Sequence, residues 1–463
     1  MLSKHTCKFN SIKDMPYFYF RETFMQTKLT TKIPLILILL LTLVFAKLQF
    51  NKRLSSPSDV CMNICSDGRG YYAWLPAIFI FHDLNFGFFE QVELKSSPCG
   101  GAIGGCIQDY RNSLDGHVCN KYYPGTAFMM LPFFAWAHIT ESMGGYRATG
   151  YSPPYFQMIG IAGICYFLLG MLLFLAILRK LQLNILQQSL TILLIAFGSN
   201  ILYFTADKPA YSHIYSFVLI GAFLYYALCL RQRFSMRHLA YLSFLTGFIF
   251  ITRPVNVSIV LILPFVLWES RTMLIDALRQ KPSALLALLP GFIMPCILFC
   301  LYHISTGHFF IYSYDKEGFD FLHPHFWQFL FSYDNGVFPY TPLLFLPFVF
   351  VFVWYLQTDK LLIWGAFITL LVTAYIHSSW WCWSYGLSFG ARTMLDFLPL
   401  FGIIIGLSLK NTNLKKHFYL LPVYFLCCTL TMILYDRKNH GYMSVYPITD
   451  YWPAVYSGLG VKK

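Results

Sequence analysis

Twelve apolar runs, most of them near the length of a membrane span, alternate with polar connections along the chain. A run of about 20 apolar residues is long enough to cross the hydrocarbon core as a helix, whereas helices of soluble domains are shorter and amphipathic. The pattern therefore predicts an all-α integral membrane protein. The runs lie at 33–50, 124–140, 155–178, 184–204, 211–230, 238–252, 254–269, 283–304, 338–357, 361–376, 395–409 and 417–435.

Lysine and arginine concentrate in four short connections between these runs. The basic connections are 179–180, 231–237, 271–281 and 410–416. Short basic connections stay in the cytoplasm, so the chain crosses only once between 51 and 179. We predict that 155–178 makes this crossing, whereas 124–140, which contains Pro124 and Pro132, lies in the membrane plane or re-enters. The alternative is that both runs cross.

The same rule predicts a hairpin at Arg253-Pro254, because basic connections flank the pair of runs around it. Arg253 then reaches the outer surface. At the bilayer centre it would cost about 3 kcal/mol. The topology has about eleven transmembrane helices. It comprises a cytoplasmic segment 1–32, a polytopic module 33–435 and a short extracytoplasmic tail 436–463. Two large outer loops interrupt the module, 51–154 with juxtamembrane in-plane helices and 305–337.

Composition agrees with this topology. The chain is 57% hydrophobic and only 12% charged, with a net charge of +13. The excess positive charge falls on the segments predicted to be cytoplasmic, so it reports orientation and gives no indication of nucleic-acid binding. Disulfides in an outer loop and free thiols remain equal alternatives for the five cysteines of the first loop. These are Cys61, Cys65, Cys99, Cys106 and Cys119.

The segment 66–72 (SDGRGYY) places an acid, a base and two glycines just after the first run, ahead of an aromatic segment 72–89. We interpret it as a flexible polar loop at the membrane surface. Under the predicted topology, most of the unusual polar residues fall on the same outer side. A coupled transporter usually places its charges at mid-membrane. The distribution favours interfacial chemistry.

In the order of its features along the chain, the sequence resembles the GT-C superfamily of membrane glycosyltransferases. This superfamily includes protein O-mannosyltransferases and lipid A aminoarabinose transferases. Asp67 matches the acid of their first outer loop. The segment 121–125 (KYYPG) is similar to their juxtamembrane Lys-Pro-Pro element, and 205–209 (TADKP) places Asp207 at their second acidic position. The segment 388–399 (SFGARTMLDFLP) looks like the S-F-G-x-R-Y-x-x-D-x-x-P element of bacterial members. The resemblance covers about 33–410.

The resemblance implies a catalytic role for Asp67, as general base or metal ligand, and for Asp207. Substrate-binding residues are expected among Arg69, Lys121, Tyr122, His213, Arg253, His303, Tyr312, Tyr314, Trp380, Trp383, Arg392 and Asp396. Arginine suits bidentate phosphate binding, and aromatic rings suit stacking on sugar or polyprenyl. Each type has a structural alternative: turn formation for Asp67, headgroup contact for the cations, and the interfacial aromatic belt for the rings.

The chain also departs from the group. Asn120 stands where aminoarabinose transferases have glutamate, and Asp67 has no second acid two residues away. Metal binding is therefore open, with a divalent cation such as Mg²⁺ or Mn²⁺ as one alternative. No P-loop, dinucleotide fingerprint or zinc motif is present.

These features predict a GT-C type glycosyltransferase, hexosyl- or pentosyl-transferring and inverting, in the plasma membrane. It would transfer a sugar from a polyprenyl-phosphate donor to a glycan, lipid or protein acceptor of the cell envelope. The transfer would occur at the outer membrane–water interface. Two alternatives remain. A polysaccharide polymerase or ligase would depend on the outer arginines without Asp67. A lipid-linked oligosaccharide flippase or other transporter would need charges at mid-membrane.

Overall fold

The computed structural model describes residues 32–53, 60–93, 109–114, 116–145, 148–353, 359–386, 388–411, 420–439 and 448–460. Its helices are α1 (Ile33–Arg53), α2 (Asp67–Pro76), α3 (Gly125–Met143), α4 (Pro153–Lys180), α5 (Ile185–Phe197), α6 (Ile201–Ala206), α7 (Ser212–Gln232), α8 (Met236–Thr252), α9 (Pro254–Gln280), α10 (Pro282–Thr306), α11 (Phe326–Phe331), α12 (Val337–Tyr340), α13 (Leu346–Val353), α14 (Lys360–Ser378), α15 (Leu398–Asn411), α16 (Leu420–Asn439) and α17 (Ile448–Gly458).

Shorter elements complete the described fold. Strands β1 (Arg111–Leu114) and β2 (His117–Asn120) form an antiparallel hairpin in which Arg111 faces Asn120. The helices α9 and α10 begin with 3₁₀ segments, and a 3₁₀ segment also leads into α15. One single π-helical turn follows α2, and another lies just before residue 94, where the described range 60–93 ends. These segments are Pro254–Ile262, Pro282–Phe292, Arg392–Phe397, Ala77–Phe81 and Phe89–Glu93.

Seven helices of the described residues are long and apolar enough to cross a membrane. They are α1, α4, α7, α9, α10, α14 and the helix Arg392–Lys410. The helix Arg392–Lys410 is buried along nearly its whole length, whereas α9 and α10 expose most of theirs. The helix Arg392–Lys410 is therefore central in the bundle, whereas α9 and α10 are peripheral. The prediction of an all-α membrane protein is confirmed, whereas the count of eleven spans is not.

The described residues at the basic connections lie together at one end of the helical bundle. Lys180, at the end of α4, donates a 2.9 Å hydrogen bond to Gln232 at the end of α7. Arg231 pairs with Glu269 of α9 at 2.5 Å and with Asp359, which precedes α14, at 2.6 Å. This grouping agrees with the charge pattern. Which compartment this end faces stays a prediction.

The chain reverses at Arg253, as predicted. Glu269 of α9 meets Arg231 near the end of α7, whereas Arg253 donates a 3.2 Å hydrogen bond to Ser212 at the start of α7. The helices α8 and α9 are therefore antiparallel. Arg253 adopts an extended backbone (φ −153°) before Pro254, because the helical region is disfavoured for a residue that precedes proline.

The helix α3 packs against the first half of α4 only. His138 Nδ1 of α3 lies 2.7 Å from the Tyr155 hydroxyl, and Tyr166 donates to the carbonyl of Met129 at 2.6 Å. The stretch of α4 between those two tyrosines rises about 16 Å, roughly half of a hydrocarbon core. The helix is also not among the candidate spans. That 124–140 stays in the plane or re-enters remains a prediction.

Two apolar runs predicted as continuous helices are interrupted. The run 184–204 divides into α5 and α6 at Gly198, and 338–357 begins with the short α12 and a 3₁₀ turn before α13. A Cβ atom on Gly198 would lie 2.3 Å from the Leu343 side chain, so the two breaks contact each other closely. Asn200 in the first break donates to the carbonyl of Phe389 at 3.1 Å. Apolar periodicity does not show such tertiary breaks.

Candidate active site

A cavity of about 610 Å³ lies at the end of the bundle opposite the basic connections. Its walls come from the start of α2, the residues after β2, the residue before α7, the α8–α9 turn, the loop before α11, and the segment from the end of α14 to the 3₁₀ turn before α15. Eight of the predicted site residues line it, namely Asp67, Lys121, Tyr122, Arg253, Tyr312, Tyr314, Trp380 and Arg392. The fold thus brings together residues from the whole length of the module.

The segment 66–72 is the rigid floor of the cavity and not the flexible loop that the sequence indicated. Asp67 begins α2, and the residues from Gly68 onward in that helix are buried. A Cβ atom on Gly70 would lie 2.2 Å from the Tyr122 ring, and one on Gly68 would lie 2.8 Å from the Cβ of Ala210. The glycines therefore serve close packing. Ser66, just before the helix, has a φ of 51°, a conformation that costs an L-residue free energy and that recurs at functional sites.

Asp67 is held from two sides. One carboxylate oxygen lies 2.6 Å from a guanidinium nitrogen of Arg392, and the other accepts a 2.9 Å hydrogen bond from the Tyr122 hydroxyl. Burial by itself raises the pKa of the Asp67 carboxyl. Arg392, Tyr122 and Lys121 outweigh it and lower this pKa below its usual value. Asp67 is therefore ionised at neutral pH.

Arg253 enters the cavity with a separate counter-ion behind it. Its Nε lies 3.2 Å from Asp396, whose carboxylate also accepts a 2.7 Å hydrogen bond from Asn256 and lies 2.8 Å from His213 Nδ1. Asp396 and His213 are buried and do not line the cavity. They were predicted to bind substrate, and the structure instead places both of them in the wall behind Arg253.

A further ion pair lies in the cavity wall among aromatic rings. Lys121 pairs with Glu317, and its ammonium lies 5.4 Å from the Tyr314 ring centroid and 5.7 Å from that of Tyr122. Tyr314 meets Trp380 edge to face at 5.5 Å. Ten of the lining residues are aromatic, and seven of those are tyrosines. Such walls offer flat faces to a ligand and hydroxyl groups at their edges.

Four predicted residues lie elsewhere. Arg69 forms a buried ion pair with Glu93 at 2.6 Å, and Asp207 accepts a 2.8 Å hydrogen bond from Tyr435. His303 caps the end of α10 through the carbonyl of Gly307 and stacks on Phe309, and Trp383 stacks on His325 at 5.8 Å. None of the four lines the cavity. Sequence order alone suggested their convergence, and tertiary packing separates them.

The sequence analysis missed His377, a cavity-lining residue at the end of α14. Its Nδ1 lies 2.8 Å from the Tyr385 hydroxyl, and its Nε2 is buried without a hydrogen-bond partner among the described residues. Tyr385 and Tyr211 also line the cavity, and each ring lies under the Arg392 guanidinium, at 5.5 and 5.2 Å. Tyr211 and His377 lie at the ends of apolar runs and Tyr385 lies in the connection between two runs, and no local signal distinguishes any of them from packing residues.

Cysteine and metal chemistry do not define the site. Cys61, Cys65 and Cys119 are buried and form no disulfide with one another, and Cys99 and Cys106 fall outside the described residues. Among the described residues no group of three His, Cys, Asp or Glu side chains is placed to hold a metal ion. Both oxygens of Asp67 are already engaged. The described residues therefore offer no preformed site of three such side chains for a divalent cation.

The helices and the cavity together define an all-α, multi-pass membrane protein with a charged, aromatic-walled cavity at one end. No protein-family model matches the chain, and no curated protein matches it in sequence. Among solved structures, a crystal structure of the Archaeoglobus fulgidus oligosaccharyltransferase in the apo form is similar, with a TM-score of 0.43 and 11% identity. The match covers 91% of this chain and 56% of that chain. A likeness at this level carries no argument about activity.

Proposed function

We propose that the chain is a membrane glycosyltransferase of GT-C type. It moves a sugar from a polyprenyl-phosphate donor to a cell-envelope acceptor at the outer membrane–water interface. One observation carries the proposal. A largely buried, ionised carboxylate, Asp67, pairs with Arg392, and a second arginine, Arg253, enters the same aromatic-walled cavity at the end of the bundle opposite the basic connections. Sugar transfer from a lipid phosphate needs a base for the acceptor and cations for the leaving phosphate.

The ion pair of Asp67 with Arg392 means that the donor binds before the acceptor is activated. The carboxylate of Asp67 neutralises the guanidinium of Arg392, and the pKa of Asp67 lies below its usual value. A donor phosphate competes for Arg392 through charge-assisted hydrogen bonds, which frees Asp67 and raises its basicity. Asp67 then accepts the proton of the acceptor hydroxyl, whose oxygen bonds to the anomeric carbon. The bond from that carbon to the phosphate oxygen breaks, and the phosphate leaves with the electron pair, stabilised by the arginines.

The aromatic wall accommodates the sugar. Tyr312, Tyr314 and Trp380 line the side of the cavity that carries the Lys121–Glu317 pair. Flat rings pack against the apolar faces of a sugar, and the ion pair at their edge can hydrogen-bond its hydroxyl groups. Attack from the side opposite the phosphate inverts the anomeric centre. The sugar is a hexose or pentose, and the acceptor is a glycan, lipid or protein of the envelope.

The proposal is tested by transfer itself. Membranes containing the parent chain are compared with Arg392→Gln membranes at equal expression, with labelled sugar supplied through the polyprenyl-phosphate pool. We expect labelled envelope material only with the parent, with a loss of at least about 100-fold in the variant, the range typical for removing one stabilising group. Asp276→Asn, an exposed carboxylate at the opposite end, is the control. Movement of intact lipid-linked sugar across the membrane, without a new glycosidic bond, would refute the proposal in favour of a transporter.

Orientation has its own test. Single cysteines replace Ala148, before α4, and Gln182, after it, and a membrane-impermeant thiol reagent is applied to intact cells. We expect labelling at 148 alone, because the cavity end faces outward in the plasma membrane. Selective labelling at 182 would place the cavity in the cytoplasm and contradict the proposed site of transfer.

A further inference from the structure

The two arginines of the cavity are held in different ways. Arg392 is paired within the cavity wall by Asp67, which itself lines the cavity. Arg253 is paired from behind by Asp396, which is fully buried. A phosphate can displace the first carboxylate from its arginine. It cannot reach the second.

The buried carboxylate is itself fixed on both oxygens. One oxygen lies 2.8 Å from His213 Nδ1, and the other accepts a 2.7 Å hydrogen bond from Asn256 and lies 3.2 Å from the Nε of Arg253. On the far side of Arg253, its terminal nitrogen donates to Ser212, which in turn donates to the cavity-lining Tyr71 at 3.2 Å. The guanidinium thus lies in charge contact with a fixed carboxylate at its inner nitrogen and donates a hydrogen bond from a terminal nitrogen, while its side chain remains 16% exposed.

We propose that Asp396, supported by His213 and Asn256, is a positioning residue that holds the Arg253 guanidinium in the cavity as a preorganised phosphate-binding group. This inference rests on the proposed function and deepens it. Arg253 is the fixed anchor for the donor phosphate, and Arg392 is the arginine that changes partners. Asp396 acts only through Arg253, because it is sealed from the cavity. A guanidinium already held in its binding geometry loses less conformational entropy when the phosphate binds.

A double-mutant cycle tests this assignment. The full chain in lipid nanodiscs is measured for binding of polyprenyl monophosphate, with polyprenol as the uncharged probe. The proteins are the parent, Asp396→Asn, Arg253→Gln and the double variant. We expect Asp396→Asn to weaken phosphate-lipid binding about 10-fold in the parent, the size typical of a charge-assisted contact. In the Arg253→Gln background the same substitution should change binding by less than about 2-fold, since the group it positions is gone. Polyprenol binding should be alike in all four.

The outcomes separate the inference from the function on which it rests. A parent that binds both lipids equally would remove the phosphate donor and this inference with it. A parent that prefers the phosphate, combined with an Asp396→Asn effect of equal factor in both backgrounds, would overturn the inference alone and make Asp396 merely structural. Unchanged phosphate binding in Asp396→Asn would overturn it too. Melting temperatures accompany each measurement. If Asp396→Asn does not fold, Asn256→Ala replaces it in the cycle, with a smaller effect in the same direction.

Discussion

Replacing Asp67 with asparagine tests the centre of the cavity. The substitution keeps the size of the side chain but removes its negative charge. Arg392 then loses the carboxylate that lies 2.6 Å away. Because the Arg392 side chain is only 12% exposed, water replaces that partner poorly. Tyr122 keeps an oxygen to which it can donate. The perturbation is therefore electrostatic, with little change in packing.

Two magnitudes follow. Losing a hydrogen-bonded charge pair that is largely shielded from water should lower the free energy of unfolding by about 2 kcal/mol. Loss of a general base should lower the transfer rate by a further factor of about 10² to 10⁴. The second effect is much larger than the first can explain, because a stability loss of this size leaves a marginally stable protein mostly folded. Transfer should therefore collapse while folded protein remains.

The assay measures both quantities on matched membranes. Transfer of labelled sugar into envelope material is compared for the parent, Asp67→Asn and the control Glu90→Gln, whose carboxylate is 71% exposed. Melting temperature in detergent reports stability, and we expect a fall of a few degrees for Asp67→Asn alone. Transfer at the parent rate in a folded Asp67→Asn protein would refute the assignment of Asp67 as base and favour a ligase or a transporter.

Three further outcomes are expected. Gly70→Ala should destabilise the protein by about 1 to 3 kcal/mol, because its Cβ would overlap a packed ring, whereas Gly318→Ala, with nothing within 4 Å of the new atom, should be neutral in the same thermal melt. Arg69→Met should cost about 3 kcal/mol by leaving Glu93 buried and unpaired. Adding Glu93→Gln should recover part of this loss, and equal melts for the single and double variants would contradict the ion pair. The lowered pKa of Asp67 keeps it ionised down to its usual range near 3.8, and the stability that it contributes is lost only as pH falls through the lower folded value. The kcat/KM profile should therefore show no loss from Asp67 between pH 7 and 5, and an inflection near pH 6 that disappears in Asp67→Asn would contradict it.

The membrane character was predictable because it depends on local features. Apolar runs and the placement of basic connections are read along the chain, and the reversal at Arg253 followed from the charges on either side of it. The breaks at Gly198 and before α13 were not predictable, since each depends on a contact with a distant segment. The floor of the site was misread for the same reason. Its glycines suggest flexibility in sequence but serve close packing in the fold.

The sequence by itself determined that the chain is a bundle of apolar helices with its basic connections at one end, and it placed most of the unusual polar residues near the other. The tertiary structure alone decided which of those residues meet. Two ion pairs join remote segments, namely Asp67 with Arg392 and Arg253 with Asp396. By contrast, Arg69 contacts Glu93 and Asp207 contacts Tyr435, outside the cavity. The burial of each side chain depends on that packing, and burial determines how strongly its charge interacts with neighbouring charges. Helical and hydropathic signals extend over a few turns, whereas a site assembled from six segments is specified only when the helices have packed.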